Sequence, residues 1–258
     1  MLLCSSKFLT IFYMLIVSII ICNDSCDDYF GGWPINDKKD ELQDPGYEFN
    51  CNNNSINKNI GCPCTHDSDC SSGKCFKSPR IGGYCLQNKG DRFPRYSLFD
   101  QYGEKVDIYD FANQGKFILI EFSTAWCLPC KEFASWLNND DISITTSKIW
   151  KKEYDIIKEL INQDLIYFIN VQIEDQYREP ASIESLEEWF QRYPDKKVAL
   201  LADSNYNVRD WVRVTAYPTA ILLNEKMEIV EFSIRGWYDA FDRIVNFEEL
   251  TKKLEDIK

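Results

Sequence analysis

Cys127 and Cys130 are separated by Leu128 and Pro129 and follow closely on the apolar run Phe117-Ile118-Leu119-Ile120, within Phe122-Ser123-Thr124-Ala125-Trp126-Cys127-Leu128-Pro129-Cys130-Lys131. Two cysteines at this spacing, where a buried strand gives way to a helix, suit thiol–disulfide exchange. The first sulfur would sit at the helix N-terminus, where unsatisfied backbone N–H groups and the helix dipole stabilise a thiolate and lower its pKa from about 8.5 into a range of roughly 3.5 to 7.5. The second, one turn on, is placed to resolve a mixed disulfide. Zinc is the rival chemistry, because a Cys-x-x-Cys pair also supplies half of a four-ligand cage. The other half is missing: the single histidine, His66, lies far upstream, and no second Cys-x-x-Cys or His pair follows Cys130. The site is therefore read as redox, with no metal and no cofactor.

The elements that must position this pair alternate between apolar runs and amphipathic stretches from about residue 89 onward, the signature of an α/β domain. Strands are expected at 116–122, 165–173 and 198–202, with a hairpin of 218–223 and 228–234. Helices are expected at 127–137, 149–161, 183–193 (ended by Pro194) and 203–212. Phe247, Leu250, Leu254 and Ile257, three or four residues apart, close the chain with another. The alternation Phe117, Leu119, Glu121 turns the carboxyl of Glu121 inward, where burial would raise its pKa.

Upstream the texture differs. Residues 23–88 are rich in Asn, Asp, Gly and Cys and show no sustained period, so they cannot form an apolar core and need disulfides to hold them. Cys51, Cys62, Cys64, Cys70, Cys75 and Cys85 allow fifteen pairings, which spacing does not resolve. Cys26 is left over. The stretch around His66-Asp67-Ser68-Asp69-Cys70 resembles small cysteine knots appended to exported proteins.

Residues 1–22 read as a targeting signal, with Lys7 ahead of the fifteen-residue run Phe8 to Cys22. That run falls short of the roughly 20 residues that cross a bilayer, which favours a signal over a stable anchor. Lipidation of Cys22 is the alternative, with Ile21 standing where a lipoprotein signal has a small residue. Eleven cysteines in 258 residues also point to an oxidising space, periplasmic or extracellular. The formal charge of −12 speaks against nucleic acid or an anionic membrane surface as partner.

The order of elements and the motif together resemble the thioredoxin fold. Phe93-Pro94, Leu98, Asp100, Gly103, Val106, Ile108 and Asp110-Phe111 narrow the resemblance to the TlpA/ResA-like thiol–disulfide oxidoreductases and the related AhpC/TSA-type redoxins, across residues 89–258. The resemblance implies that Cys127 attacks and Cys130 resolves, and that Trp126 and Pro129 belong to the active-site motif. It implies that Tyr217-Pro218-Thr219 is the cis-proline segment that meets a substrate chain, and that Glu121, six residues before Cys127, moves protons for Cys130. Two features depart from the pattern: Tyr217 is bulkier than the usual residue there, and 142–192 is longer than a minimal thioredoxin needs.

A peroxiredoxin-like peroxidase would carry proline where Ile120 stands, seven residues before Cys127, and a copper-delivering relative would need a histidine in this domain. A redox-inactive exported binding or adhesion protein would have no use for the reactive pair. Proline before the second cysteine resembles reducing members of the fold, whose potentials lie near about −270 mV. The expectation is an exported reductant or isomerase acting on disulfide-containing proteins. As a reductant it would be recharged by a membrane electron donor.

Overall fold

Alternation along a single strand divides the core in two. In the computed structural model, which describes residues 28–46, 51, 60–79, 82–138 and 142–257, the strand Phe117–Thr124 sends Ile118, Ile120 and Phe122 to one face of a sheet and Leu119 and Glu121 to the other. Strands buried on both faces read as near-continuous apolar runs, which is how this segment stands out in the sequence. The N-terminal apolar segment, Cys22 and Cys26 lie outside the described residues. Among those described, no helix is long and apolar enough to cross a membrane.

In chain order, β1 (Cys75–Ser78) and β2 (Gly82–Cys85) form an antiparallel hairpin in the cysteine-rich zone. Then come β3 (Ser97–Asp100), β4 (Lys105–Asp107), β5 (Phe117–Thr124), α1 (Leu128–Leu137), α2 (Asp155–Asn162), β6 (Ile166–Glu174), α3 (Ile183–Arg192), β7 (Val198–Ala202), α4 (Asn207–Val212), β8 (Thr219–Leu223), β9 (Ile229–Ser233), α5 (Tyr238–Val245) and α6 (Glu248–Ile257). The last seven strands make one mixed sheet in the order β4-β3-β7-β6-β5-β8-β9. Within it β5, β6 and β7 run parallel, while β3, β8 and β9 pair antiparallel to their neighbours. Helix α4 covers one face; α1, α2, α3, α5 and α6 cover the other. This is the thioredoxin fold, with β3 and β4 added at one edge.

Among the described residues from Gly61 to Cys85, the buried cluster is made of cysteines, Cys64, Cys70 and Cys85. The sulfurs of the cysteine-rich zone pair as Cys51–Cys62, Cys64–Cys75 and Cys70–Cys85, so Cys62 and Cys64, one residue apart, do not bond to each other. Earlier in the same zone the expectation of a segment held by disulfides fails, because Trp33 is buried in the α/β core and donates its indole N–H to Asp100 at 3.0 Å. Asn36 and Lys39 bind the buried carboxylate of Asp110 through a backbone N–H at 2.9 Å and an ammonium at 2.6 Å.

Two expected helices are shorter than their periodicity suggested. The one expected at 203–212 starts only at Asn207, because Tyr206 before it takes a left-handed conformation at φ 59°. The one expected at 149–161 loses its first turns. The chain from 149 to 154 does not join α2, because Trp150 packs edge-on against Trp136 at 4.9 Å and Lys151 pairs with Asp242. These tertiary contacts hold it in turns, with a 3₁₀ turn at Lys152–Tyr154, and the α-helix starts at Asp155. Most of the long stretch 142–192 is core: α2, β6 and α3 all fall within it.

Candidate active site

Strand β5 delivers the chain to the site and α1 begins there. The Cys127 amide donates to the Thr124 carbonyl at 3.1 Å, which closes the turn at the strand end. Cys127 is the N-cap of α1, and its Sγ accepts the amide N–H of Cys130 at 3.3 Å. Pro129 fits within the first turn because the N–H it lacks would have had no helical partner. The two cysteines are joined as a disulfide with Cα atoms 5.3 Å apart. Cys130 is fully buried and Cys127 only 3% exposed, whereas Leu128 beside them is 65% exposed. Ala181, Leu186, Trp189, Leu200 and Ala202 pack around the pair from α3, β7 and the turn before α3.

Trp126 is held on three sides. Its indole N–H donates to Glu174 at 2.8 Å, the Arg178 guanidinium lies 4.0 Å from its ring centroid, and the Tyr217 ring meets it edge-on at 5.6 Å. Burial pushes the Tyr217 hydroxyl above the ordinary tyrosine range. The Tyr217-Pro218 peptide is cis, and Pro218 is buried. The Pro218 carbonyl accepts the Gly236 N–H at 2.7 Å, and the Thr219 hydroxyl lies 2.8 and 2.9 Å from the carbonyls of Ala216 and Ile234. The structure thus brings Trp126, Cys127, Tyr217 and Pro218 to one place.

Glu121 lies on the sheet face that α1 covers and is 1% exposed. The amide of Asn170 donates to one carboxyl oxygen at 2.6 Å and the indole of Trp237 to the other at 2.9 Å. Ser123 donates in turn to Asn170 at 2.7 Å. Burial raises the Glu121 pKa to about 8, against the pull of its two donors. A small cavity with room for about one water molecule borders Glu121, Asn170, Phe133 and Asp195.

Asn170, Ser123 and Trp237 were not anticipated from the sequence. The signal for the first two was present: a lone amide within Tyr167-Phe168-Ile169-Asn170-Val171 and a hydroxyl within a buried strand, each needing a partner. Glu174 and Arg178 gave none, because charged residues beyond a strand end are ordinary. The cysteine-rich residues lie apart from the pair Cys127 and Cys130. There the sulfurs of Cys64, Cys70 and Cys85 come within 4.8 Å of one another, and all three are committed to disulfides, which leaves no thiolate to bind an ion.

No family model matches the chain, and no curated protein matches it. Solved structures do resemble it. A thiol:disulfide interchange protein from Bacteroides sp. is 20% identical, with a TM-score of 0.44 over 64% of this chain and 91% of that one. The pneumococcal exposed lipoprotein thioredoxin from Streptococcus pneumoniae is 19% identical, with a TM-score of 0.42 over 61% and 98%. A thiol-disulfide oxidoreductase from Bacteroides fragilis is 18% identical, with a TM-score of 0.42 over 65% and 100%. The chain's own sheet order and helix placement make it a thioredoxin fold, with a Cys-x-x-Cys disulfide at the N-terminus of its first helix.

Proposed function

We propose that this protein is an exported thiol–disulfide oxidoreductase of the protein-disulfide reductase type. The observation that carries the reading is the Cys127–Cys130 pair at the head of α1, with the Cys130 amide directed at the Cys127 sulfur. In the reduced form, backbone N–H groups at a helix N-terminus stabilise a Cys127 thiolate.

That thiolate attacks one sulfur of a partner disulfide. A Cys127–partner bond forms, the partner's S–S bond breaks, and the departing partner sulfur takes a proton. Cys130 then loses its proton and attacks the Cys127 sulfur, forming the intramolecular disulfide and releasing the second partner thiolate. Two electrons have moved to the partner. The oxidised pair must be reduced again by a dithiol or membrane electron donor, and the same steps run backwards would oxidise. The ionised form of Glu121 accepts the proton that Cys130 gives up, and a pKa near 8 makes that form a strong enough base to do so. Trp126, Pro129, Tyr217 and Pro218 form the surface along which the partner chain lies. Residues 1–22 direct export, with residues 23–88 a stapled appendage and 89–258 the catalytic domain.

The direction of electron flow is tested by the reduction potential of Cys127/Cys130, read as thiol counts by mass spectrometry after equilibration in dithiothreitol or glutathione buffers. A reductant is expected to lie near or below about −250 mV, and a value of about −120 to −180 mV would make the protein an oxidase or isomerase instead. Absence of any reversible step at this pair would sink the redox reading altogether.

A further inference from the structure

Three side chains tie the stapled segment to the loop that leads into Tyr217. The Tyr84 hydroxyl, on β2, donates to the Arg213 carbonyl at 3.2 Å and bonds the Thr215 side chain. The Arg213 guanidinium reaches back to the Gly61 carbonyl at 3.1 Å. The Gln87 amide donates to the carbonyls of Trp211 and Val212 at 3.3 and 3.4 Å. These last carbonyls are acceptors that a helix end leaves without helical partners. Arg213 itself turns the chain with a φ of 58°, a left-handed conformation disfavoured for a residue with a Cβ. The Arg213 and Val214 N–H groups close the turn locally on the Arg209 carbonyl, and the contacts from Gly61, Tyr84 and Gln87 brace it from outside the loop.

Disulfides stand beside those contacts. Cys62 follows Gly61 and is bonded to Cys51; Cys85 follows Tyr84 and is bonded to Cys70. On the other side, the chain runs from Arg213 through Thr215 to Tyr217, whose ring rests against Trp126, the neighbour of Cys127. A continuous line of contacts links the staples to the edge of the active site.

We propose that the disulfide-stapled segment positions the substrate loop: Gly61, Tyr84 and Gln87 hold residues 211–217 where Tyr217 walls the active site and a protein substrate docks. The proposal rests on the oxidoreductase reading. A loop held in advance loses little conformational freedom when a substrate chain lies along it. Small disulfides need only the Cys127 sulfur and gain nothing from the hold.

The test uses the full-length Tyr84→Phe/Arg213→Ala variant beside wild type. Amide exchange in the peptide covering 211–217 is measured by mass spectrometry, with reduction of insulin and of oxidised glutathione followed in parallel. Exchange in that peptide is expected to rise, and KM for insulin to rise about five- to tenfold, the size set by losing hydrogen bonds of ordinary net strength. The kcat, the glutathione rate and the Cys127/Cys130 potential should stay at wild-type values. Wild-type exchange and wild-type KM in the variant overturn the proposal. So does a loss of kcat and glutathione reactivity in step with a lowered Tm, the mark of a merely structural tether. A wild-type protein inert toward both disulfides sinks the oxidoreductase reading instead, and the exchange measurement still decides whether the segment holds the loop.

Discussion

Cys127→Ser is expected to bring disulfide exchange down to the background of the added reductant, while Cys130→Ser keeps the first step and accumulates mixed disulfides. The asymmetry follows from placement. Cys127 caps α1, receives a backbone N–H, and has the exposed Leu128 and Pro129 beside it, so it is the sulfur a partner can reach. A serine hydroxyl there has no accessible alkoxide at neutral pH and cannot form the S–S bond. Cys130 is fully buried and can attack only what is already attached to Cys127. Without it, the covalent intermediate has no internal route of release. The check is a non-reducing gel with mass spectrometry of the trapped species, alongside insulin reduction by each variant. A Cys127→Ser protein that reduced disulfides at the wild-type rate would remove Cys127 from the mechanism.

Much of this arrangement could be read from residue types alone, because local chemistry fixes it. The run before Cys127 is apolar on both faces, and the helix after it opens with a proline that a first turn tolerates. Strand β8, Thr219–Leu223, is likewise a near-continuous buried run, as a strand inside the sheet should be. The turns at 149–154 follow instead from Trp150 meeting Trp136 and Lys151 meeting Asp242, partners remote in sequence that no periodicity encodes. The disulfide pairing was similarly hidden. Cys75 and Cys85 face each other across the β1–β2 hairpin, yet each bonds to a cysteine outside it. The two partners of Glu121 come from elsewhere, Asn170 on β6 and Trp237 just before α5, and Asn170 is itself held by Ser123, two residues along β5. Alternation could turn the carboxyl inward but could not say what would meet it.

Those partners set up the second large effect, a stability that falls with rising pH and that Glu121→Gln removes. In the folded protein Glu121 has a pKa of about 8, raised by burial above the ordinary glutamate value of 4.5. Between those values the native state keeps a proton that the unfolded chain has released, so the native state binds more protons and loses stability as pH rises. The loss begins above the unfolded pKa and levels off above the folded one. Over that window it amounts to roughly 3 to 5 kcal/mol, at about 1.4 kcal/mol for each unit between the two pKa values. Glutamine is neutral throughout and nearly the same shape. It can keep the Trp237 indole as donor to its oxygen and turn its NH₂ toward Asn170, whose amide can flip so that its oxygen accepts. Ser123 can then reverse its hydroxyl to accept from the flipped amide. Urea unfolding of the oxidised proteins at pH 5 and pH 9 separates the cases. The variant is expected to match wild type within about 1 kcal/mol at the lower pH and to exceed it by a few kcal/mol at the higher. Parallel pH dependences would mean that Glu121 is ionised in the fold across the whole range, and a carboxylate whose pKa lies below about 5 is too weak a base to take the proton from the Cys130 thiol.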